Sequence, residues 1–211
     1  MAHRPTTLTE ESFARGLRSL TDCDPELAQI VKDLGSPPMW VRVPGFPTLI
    51  HIILEQQVSL ASAKAAYERL LADASPLTPE RFLALDDHAL RAIGFSRQKT
   101  EYGRQLALAL REGRLDLAQL EPLDDAYARA ELIKVKGIGP WTADIYLLMA
   151  LRRPDVWPAG DLALAGAVQR VKGLAHRPTI EELENIGTTW RPWRAIAARI
   201  LWHFYLSDRG R

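Results

Sequence analysis

The chain has 211 residues, 47% of them hydrophobic and 25% charged, and a formal net charge of +1. That length allows one large domain or two small lobes with a buried core; the near-zero charge excludes a strongly basic nucleic-acid binder and leaves only a local patch for such a partner. The single cysteine, Cys23, excludes an intramolecular disulfide and any cysteine-held metal or iron–sulfur cluster.

Almost every periodic segment predicts a helix. Thr9-Glu10-Glu11 opens the first, with Phe13, Leu17 and Leu20 on one face, and Asp24-Pro25-Glu26 opens the second, ending at Leu34. Residues 35–47 are proline-rich and extended, a crossing segment or a short strand. A long helix is expected over 48–71, another over 79–85, and a short one over 86–93 that stops at Gly94. Ser96-Arg97-Gln98-Lys99 starts the next, carrying Tyr102, Leu106 and Leu110. Asp124-Asp125 starts a helix over 126–133, and Pro140 stands in the first turn of its successor. After the loop 152–160, Asp161 opens a helix through Leu164, Val168 and Val171. Residues 179–185 and 192–206 complete an all-α chain. No apolar run reaches the roughly 18–20 residues of a membrane span, and the N-terminus lacks the apolar segment of a signal peptide. A soluble cytoplasmic protein without a membrane is the expectation, with the one cysteine suiting a reducing compartment.

Residues 134–145 read as a hairpin between two helices. Gly137 and Gly139 supply a turn where β-carbons would be penalised or would block close approach. A helix start after two glycines turns backbone N–H groups and a positive dipole end toward an anion, and Lys134 and Lys136 add charge. The same pattern also suits an ordinary helical corner. Asp161 sits directly before an apolar-periodic segment, the usual place of a helix N-cap. Capping and chemistry are compatible: N–H donors favour an ionised carboxylate, and such a carboxylate can stabilise the cation that develops when a glycosidic bond breaks.

The run from Leu132 to Ala143, with Lys134-Val135-Lys136-Gly137-Ile138-Gly139-Pro140-Trp141-Thr142 at its centre, is followed by Pro158-Ala159-Gly160-Asp161. Together they resemble the helix-hairpin-helix DNA glycosylases with a Gly/Pro-rich loop and an aspartate, and within them the 3-methyladenine DNA glycosylase II type in its compact form. Two more blocks match. Ile53-Leu54-Glu55-Gln56-Gln57-Val58-Ser59 resembles the segment whose residue fills the gap left by a flipped nucleotide. Thr189-Trp190-Arg191-Pro192-Trp193-Arg194, with Ala197 and Trp202, resembles the closing helix. The resemblance spans about residues 46–205.

It implies a two-lobe helix-hairpin-helix glycosylase fold with the active site in the inter-lobe cleft. Residues 46–151 would form one helical lobe, with the hairpin pair at about 125–151. Residues 1–45 would pack with 152–211, which carry the catalytic aspartate. The N-terminal mixed β domain of larger bacterial members has no room in 1–45. Asp161 would be the catalytic carboxylate. Trp141, where bifunctional relatives carry a Schiff-base lysine, would line the base pocket or simply start a helix core; Trp193 would stand near the carboxylate or pack the last helix. Gln57 would intercalate, or be a surface or capping glutamine. Gly137, Ile138, Gly139, Thr142, Lys134 and Lys136 would hold a DNA phosphate, and residues 94–99 form a second candidate backbone contact or a solvated face. His51 and Glu55 could pair, and Asp144 reads as a first-turn acid. The implied function is a monofunctional glycosylase, without lyase activity, that flips out alkylated bases such as 3-methyladenine and 7-methylguanine. It would work as a monomer on double-stranded DNA, with no organic or redox cofactor and no metal on side chains, though hairpin carbonyls could take a monovalent cation. The alternatives are a non-catalytic helix-hairpin-helix DNA-binding module and a helical scaffold without nucleic acid.

Overall fold

Side-chain caps decide where most helices of this chain begin. In a computed structural model that describes residues 7–209 (side chains of 208 and 209 excepted), Thr9 caps α1, Glu10–Cys23, and Asp24 caps α2, Pro25–Leu34, by accepting the Leu27 N–H at 3.0 Å. Residues 1–6 and 210–211, on which the N-terminal reading and the outermost lobe limits fall, lie outside the described residues. Next come α3, Phe46–Glu55; α4, Leu60–Ala74; α5, Pro79–Ala84; α6, Asp87–Ile93; and α7, Arg97–Arg111. The second half holds α8, Asp125–Ile133; α9, Pro140–Met149; α10, Leu162–Val171; α11, Ile180–Gly187; and α12, Arg194–Arg209, with short 3-10 turns at Ala118–Leu120 and Thr188–Trp190. Among the described residues there is no strand, and residues 35–45 are irregular.

Two expectations change. The single helix over 48–71 is two helices, α3 and α4, because Gln57 takes a left-handed φ of 57° and Ser59 accepts the Ser62 N–H to start α4 afresh. The last helix begins at Arg194, two residues late, behind the 3-10 turn that ends at Trp190.

The chain divides into two compact units, Arg42–Tyr146 and the described residues of Thr6–Val41 with Leu147–Arg211. The division falls a few residues before 45/46 and 151/152. Hydrogen bonds account for it: the Gly45 N–H donates to the Tyr146 hydroxyl within the first unit, whereas the Leu147 carbonyl takes the Arg153 N–H and the Leu148 carbonyl takes Arg199 within the second.

The first unit is built on α3, whose Leu49, Ile50, Ile52, Ile53 and Leu54 are buried, with Phe82 edge-on to Phe46 at 5.8 Å. In the second unit α12 carries the core residues Ala195, Ile196, Ala198, Ile200 and Leu201. A β-carbon on Gly16 of α1 would meet Ile196 and Trp193 at 2.4–2.8 Å, so that glycine sets how closely α1 approaches α12.

Candidate active site

The first unit carries the hairpin. Asp124 caps α8 through the Ala126 and Tyr127 N–H groups, and α8 runs into a turn closed by Val135 N–H to Leu132 O and Ile138 N–H to Val135 O. Gly137 has φ 99°, and a β-carbon there would strike the Tyr102 ring at 2.3 Å. Backbone conformation and packing both demand glycine at that point. Gly139 differs: its φ lies outside the left-handed range and a β-carbon would meet nothing within 4 Å. No protein neighbour explains this glycine. It leaves bare backbone at the start of α9, where opening N–H groups have no carbonyl of their own helix to bond.

Two of the expected phosphate ligands already have partners within the protein. Ile138 is buried and its N–H is bonded at 3.0 Å to Val135, inside the turn. The Thr142 side chain is also buried, its hydroxyl accepting from Gln56 at 2.9 Å. Lys134 and Lys136 are exposed and paired with Glu131 at 2.6 Å and Glu101 at 3.2 Å. Exposed pairs of this kind are worth about 0–1 kcal/mol, so a phosphate can take over either lysine at small cost. Asp144 is buried in an ion pair of 2.5 Å with Arg129, tying α9 to α8.

Gln57 stands at the exposed apex of the α3–α4 turn. Its neighbour Gln56 points the other way: the Nε2 donates to the Gly137 carbonyl at 3.0 Å and to Thr142 at 2.9 Å. Lys99 donates to the Leu54 carbonyl at 2.6 Å, with burial lowering its ammonium from the ordinary value. Lys99 therefore leaves the candidate backbone contact at 94–99 and helps fix the end of α3 instead. Glu55 holds Arg42 in a two-pronged bond at 2.7 and 3.0 Å, and His51, stacked on Tyr67 at 4.2 Å, is 3.7 Å from Glu55. Burial pushes His51 down, with the Glu55 charge opposing it. Trp141 is half-buried in the first turn of α9.

The second unit carries Asp161. It is the N-cap of α10, its Oδ1 accepting the Leu164 N–H at 2.7 Å. The Trp202 indole N–H donates to the same oxygen at 3.2 Å. Capping and aromatic support thus coincide on one half-buried carboxylate at a positive helix end. The tryptophan bonded to this carboxylate is Trp202, not Trp193, which lies against Gly16 with Arg15 5.7 Å from its ring. The sequence signal for Trp202 was present only as its place in the closing helix. Nothing local marks a bond to a residue 41 positions earlier.

Residues 50–192 match the HhH-GPD superfamily of base excision DNA repair proteins. The chain belongs to this superfamily. Two Bacillus subtilis relatives, YfjP and a DNA-3-methyladenine glycosylase, are 28% and 29% identical over 83% and 77% of the chain, which spans 64% and 59% of their lengths. The solved structure of Schizosaccharomyces pombe 3-methyladenine DNA glycosylase Mag1 with abasic DNA is 27% identical and superposes with a TM-score of 0.84, covering 89% of this chain and 95% of that one. The hairpin, Gln57 and Asp161 of this HhH-GPD protein all fall within the matched span. No helix among the described residues is long and apolar enough to cross a membrane.

Proposed function

We propose that this chain is a monofunctional DNA glycosylase that flips alkylated bases out of double-stranded DNA and hydrolyses their N-glycosidic bond. The observation that carries the reading is Asp161, an aspartate at the N-terminus of α10 whose Oδ1 accepts both a backbone N–H and the Trp202 indole. A carboxylate so held is oriented before substrate arrives. It stabilises the oxocarbenium character that grows on the sugar as the base departs, and orients water for attack at C1′.

The rest of the machinery follows from the first unit. Gly139 and the start of α9 hold one phosphate, with Lys134 and Lys136 nearby in sequence, and this contact positions the duplex without reading its bases. The Val135 and Gly137 carbonyls each accept one N–H and keep a second lone pair, which a monovalent cation at the hairpin could use. Extruding a nucleotide costs a few kcal/mol, least for damaged pairs. Gln57, at a turn apex, fills the gap it leaves. Trp141 offers its ring to the base, and an indole cannot form the Schiff base that strand cleavage by a lyase needs. We place this activity in the cytoplasm, in a monomer needing no organic cofactor; the lone Cys23 suits that compartment.

The test is release of base from methylated duplex DNA. Wild type should release 3-methyladenine and 7-methylguanine. Asp161→Asn should keep the fold, since Asn caps helices as well as Asp, and bind DNA with little change, but lose at least about 100-fold in single-turnover excision, the scale of one electrostatic group at a reacting centre. Binding without base release by the wild type would instead mark a DNA-binding module.

A further inference from the structure

Among the described residues three that are not glycine have left-handed backbone: Trp40 at φ 46°, Arg152 at 55° and Gln57 at 57°. A bulky aromatic in that region is a genuine outlier, and such outliers persist only where the surroundings impose them, often at functional sites. Gln57 is the proposed gap-filling residue. Trp40 has none.

What imposes the conformation is visible one residue earlier. The Met39 carbonyl accepts the Nε of Arg199 at 2.7 Å. Arg199 is wholly buried, and its other nitrogens donate to the carbonyls of Ala195 at 2.8 Å and Leu148 at 2.9 Å. Burial pushes this guanidinium down to about 10, still far above neutrality, so it stays charged. Pro37, Pro38 and Pro44 stiffen the same segment. The segment is therefore pinned by a buried cation on α12 that is also bonded to the end of α9 at Leu148.

What the conformation presents is an aromatic ring against the tryptophan that bonds the carboxylate. The Trp40 ring meets Trp202 edge to face at 6.5 Å and 69°, and Trp202 is the indole that donates to Asp161. Trp40 is only half-buried. Tryptophans that serve packing in this unit look different: Trp157 and Trp190 are each 1% exposed.

We propose that Trp40 is a base-contacting residue, a wall of the pocket next to Asp161 that favours flat, cationic bases. The inference rests on the reading of Asp161 as the catalytic carboxylate. A ring with one edge fixed by Trp202 and part of its surface open can stack on an electron-poor base or attract its positive charge.

Trp40→Gly and Trp40→Asn remove the ring, and both residues accept left-handed backbone. Each should slow single-turnover excision of 3-methyladenine and 7-methylguanine by about ten-fold or more, the effect of losing one desolvated cation–π contact. Calorimetric binding of free 3-methyladenine, which leaves the sugar as a neutral base, should weaken by a smaller factor, that of the lost stacking alone. Affinity for a duplex with an abasic site, which lacks the base, should stay within about two-fold, and Trp40→Phe should restore most of the excision. Excision near wild type in the Gly and Asn variants would overturn the proposal. So would a loss of abasic-DNA binding in step with excision, a Phe variant as impaired as Gly, or both ring-less variants failing to melt cooperatively, for each makes Trp40 a packing residue. Asp161→Asn separates the two readings: it should abolish excision yet bind free 3-methyladenine as wild type does. Normal excision by that variant would remove the reading of Asp161, whereas an inactive Asp161→Asn beside a fully active Trp40→Gly would remove the role of Trp40 alone.

Discussion

The carboxamide of Gln56 reaches 86 residues along the chain to the hydroxyl of Thr142, at 2.9 Å, and bonds the Gly137 carbonyl on the way at 3.0 Å. The turn that displays Gln57 and the hairpin with Gly139 are thereby one piece of the first unit. On the proposed reading, in which the hairpin anchors a phosphate and Gln57 fills the gap, the two would arrive together and would not each need to be ordered on binding. Gln56→Leu should cost about 1–3 kcal/mol in urea unfolding, because a buried hydroxyl and carbonyl lose their donor. It should also reduce excision from paired duplex more than from a lesion already unstacked. A double-mutant cycle with Thr142→Val checks the link. Strictly additive losses would show that the two side chains act independently.

The two hairpin glycines should respond oppositely to one methyl group. Gly137→Ala drives a β-carbon into Tyr102 at left-handed φ, and should destabilise the protein by about 2–4 kcal/mol, the scale of overpacking plus strain. Gly139→Ala meets no protein atom. It should melt like wild type and still bind duplex DNA more weakly, and Gly139→Asp more weakly again by charge repulsion. Because a phosphate contact carries no base preference, the loss should be uniform across sequences. Thermal melts beside binding isotherms at low salt decide this; normal DNA binding by Gly139→Asp would move the anchor elsewhere.

Reading helix starts from this sequence works because the capping residues are local. Thr9, Asp24, Ser96, Asp124 and Asp161 each bond N–H groups two or three residues ahead, and each is visible as a polar residue before an apolar period. The break at residues 56–59 is hidden because apolar residues continue at helical spacing through it; Ser59, its one local marker, sits inside the run. Asp161 and Gln57 are legible from motif context. The partners that give them meaning are not. Gln56 meets residues 81 and 86 positions away and Trp202 meets one 41 positions away, and no periodicity encodes such pairings. Trp193 and Trp202 are indistinguishable by type; Trp193 stands just before α12, against Gly16 of α1, whereas Trp202, within α12, meets Asp161.

Asp24 should make the second unit acid-sensitive. Burial pushes its carboxyl up, but the Lys172 ammonium at 2.9 Å, the Leu27 N–H and the Trp190 indole at 2.8 Å outweigh that and hold it below the ordinary value. A folded value below the unfolded one means stability that is present above the unfolded pKa, about 3.9, and is lost as pH falls through the folded one. Asp24→Asn keeps the cap, and Lys172 retains Glu26 at 3.2 Å. The loss at pH 7 should therefore be modest, about 1–2 kcal/mol. Measured by urea unfolding, the gap between wild type and variant should shrink below pH 4; a gap independent of pH would mean the charge contributes nothing.

Borohydride should trap no covalent adduct between this protein and lesion-bearing DNA. Trapping needs an amine that attacks C1′, and on the proposed reading Trp141, an indole, stands at the place where the resemblance implies a lysine in lyases. Heating the product in alkali should cleave the strand, since an abasic site remains. Efficient trapping at neutral pH, mapped to an internal lysine, would establish a lyase.

Cationic alkylated bases should leave far faster than neutral ones. Methylation of adenine at N3 or of guanine at N7 places a positive charge on the ring, so the base departs without needing a proton. Uracil or hypoxanthine would gain from a positioned general acid. At the second unit's candidate centre the carboxylate is Asp161, whose Oδ1 accepts a backbone N–H and an indole N–H at a helix start, and on the proposed reading it stabilises a cation and does not give a proton. The tryptophans assigned to the base also favour an electron-poor ring, by stacking and cation–π attraction worth roughly 0.5–2 kcal/mol. That attraction alone separates cationic from neutral bases by about ten-fold, and where no general acid is positioned the margin widens by a further factor of about 10²–10⁴. Single-turnover release from matched oligonucleotides measures the ratio directly. If uracil or hypoxanthine left as fast as 3-methyladenine, a general acid must be present and the alkylated-base assignment would fall.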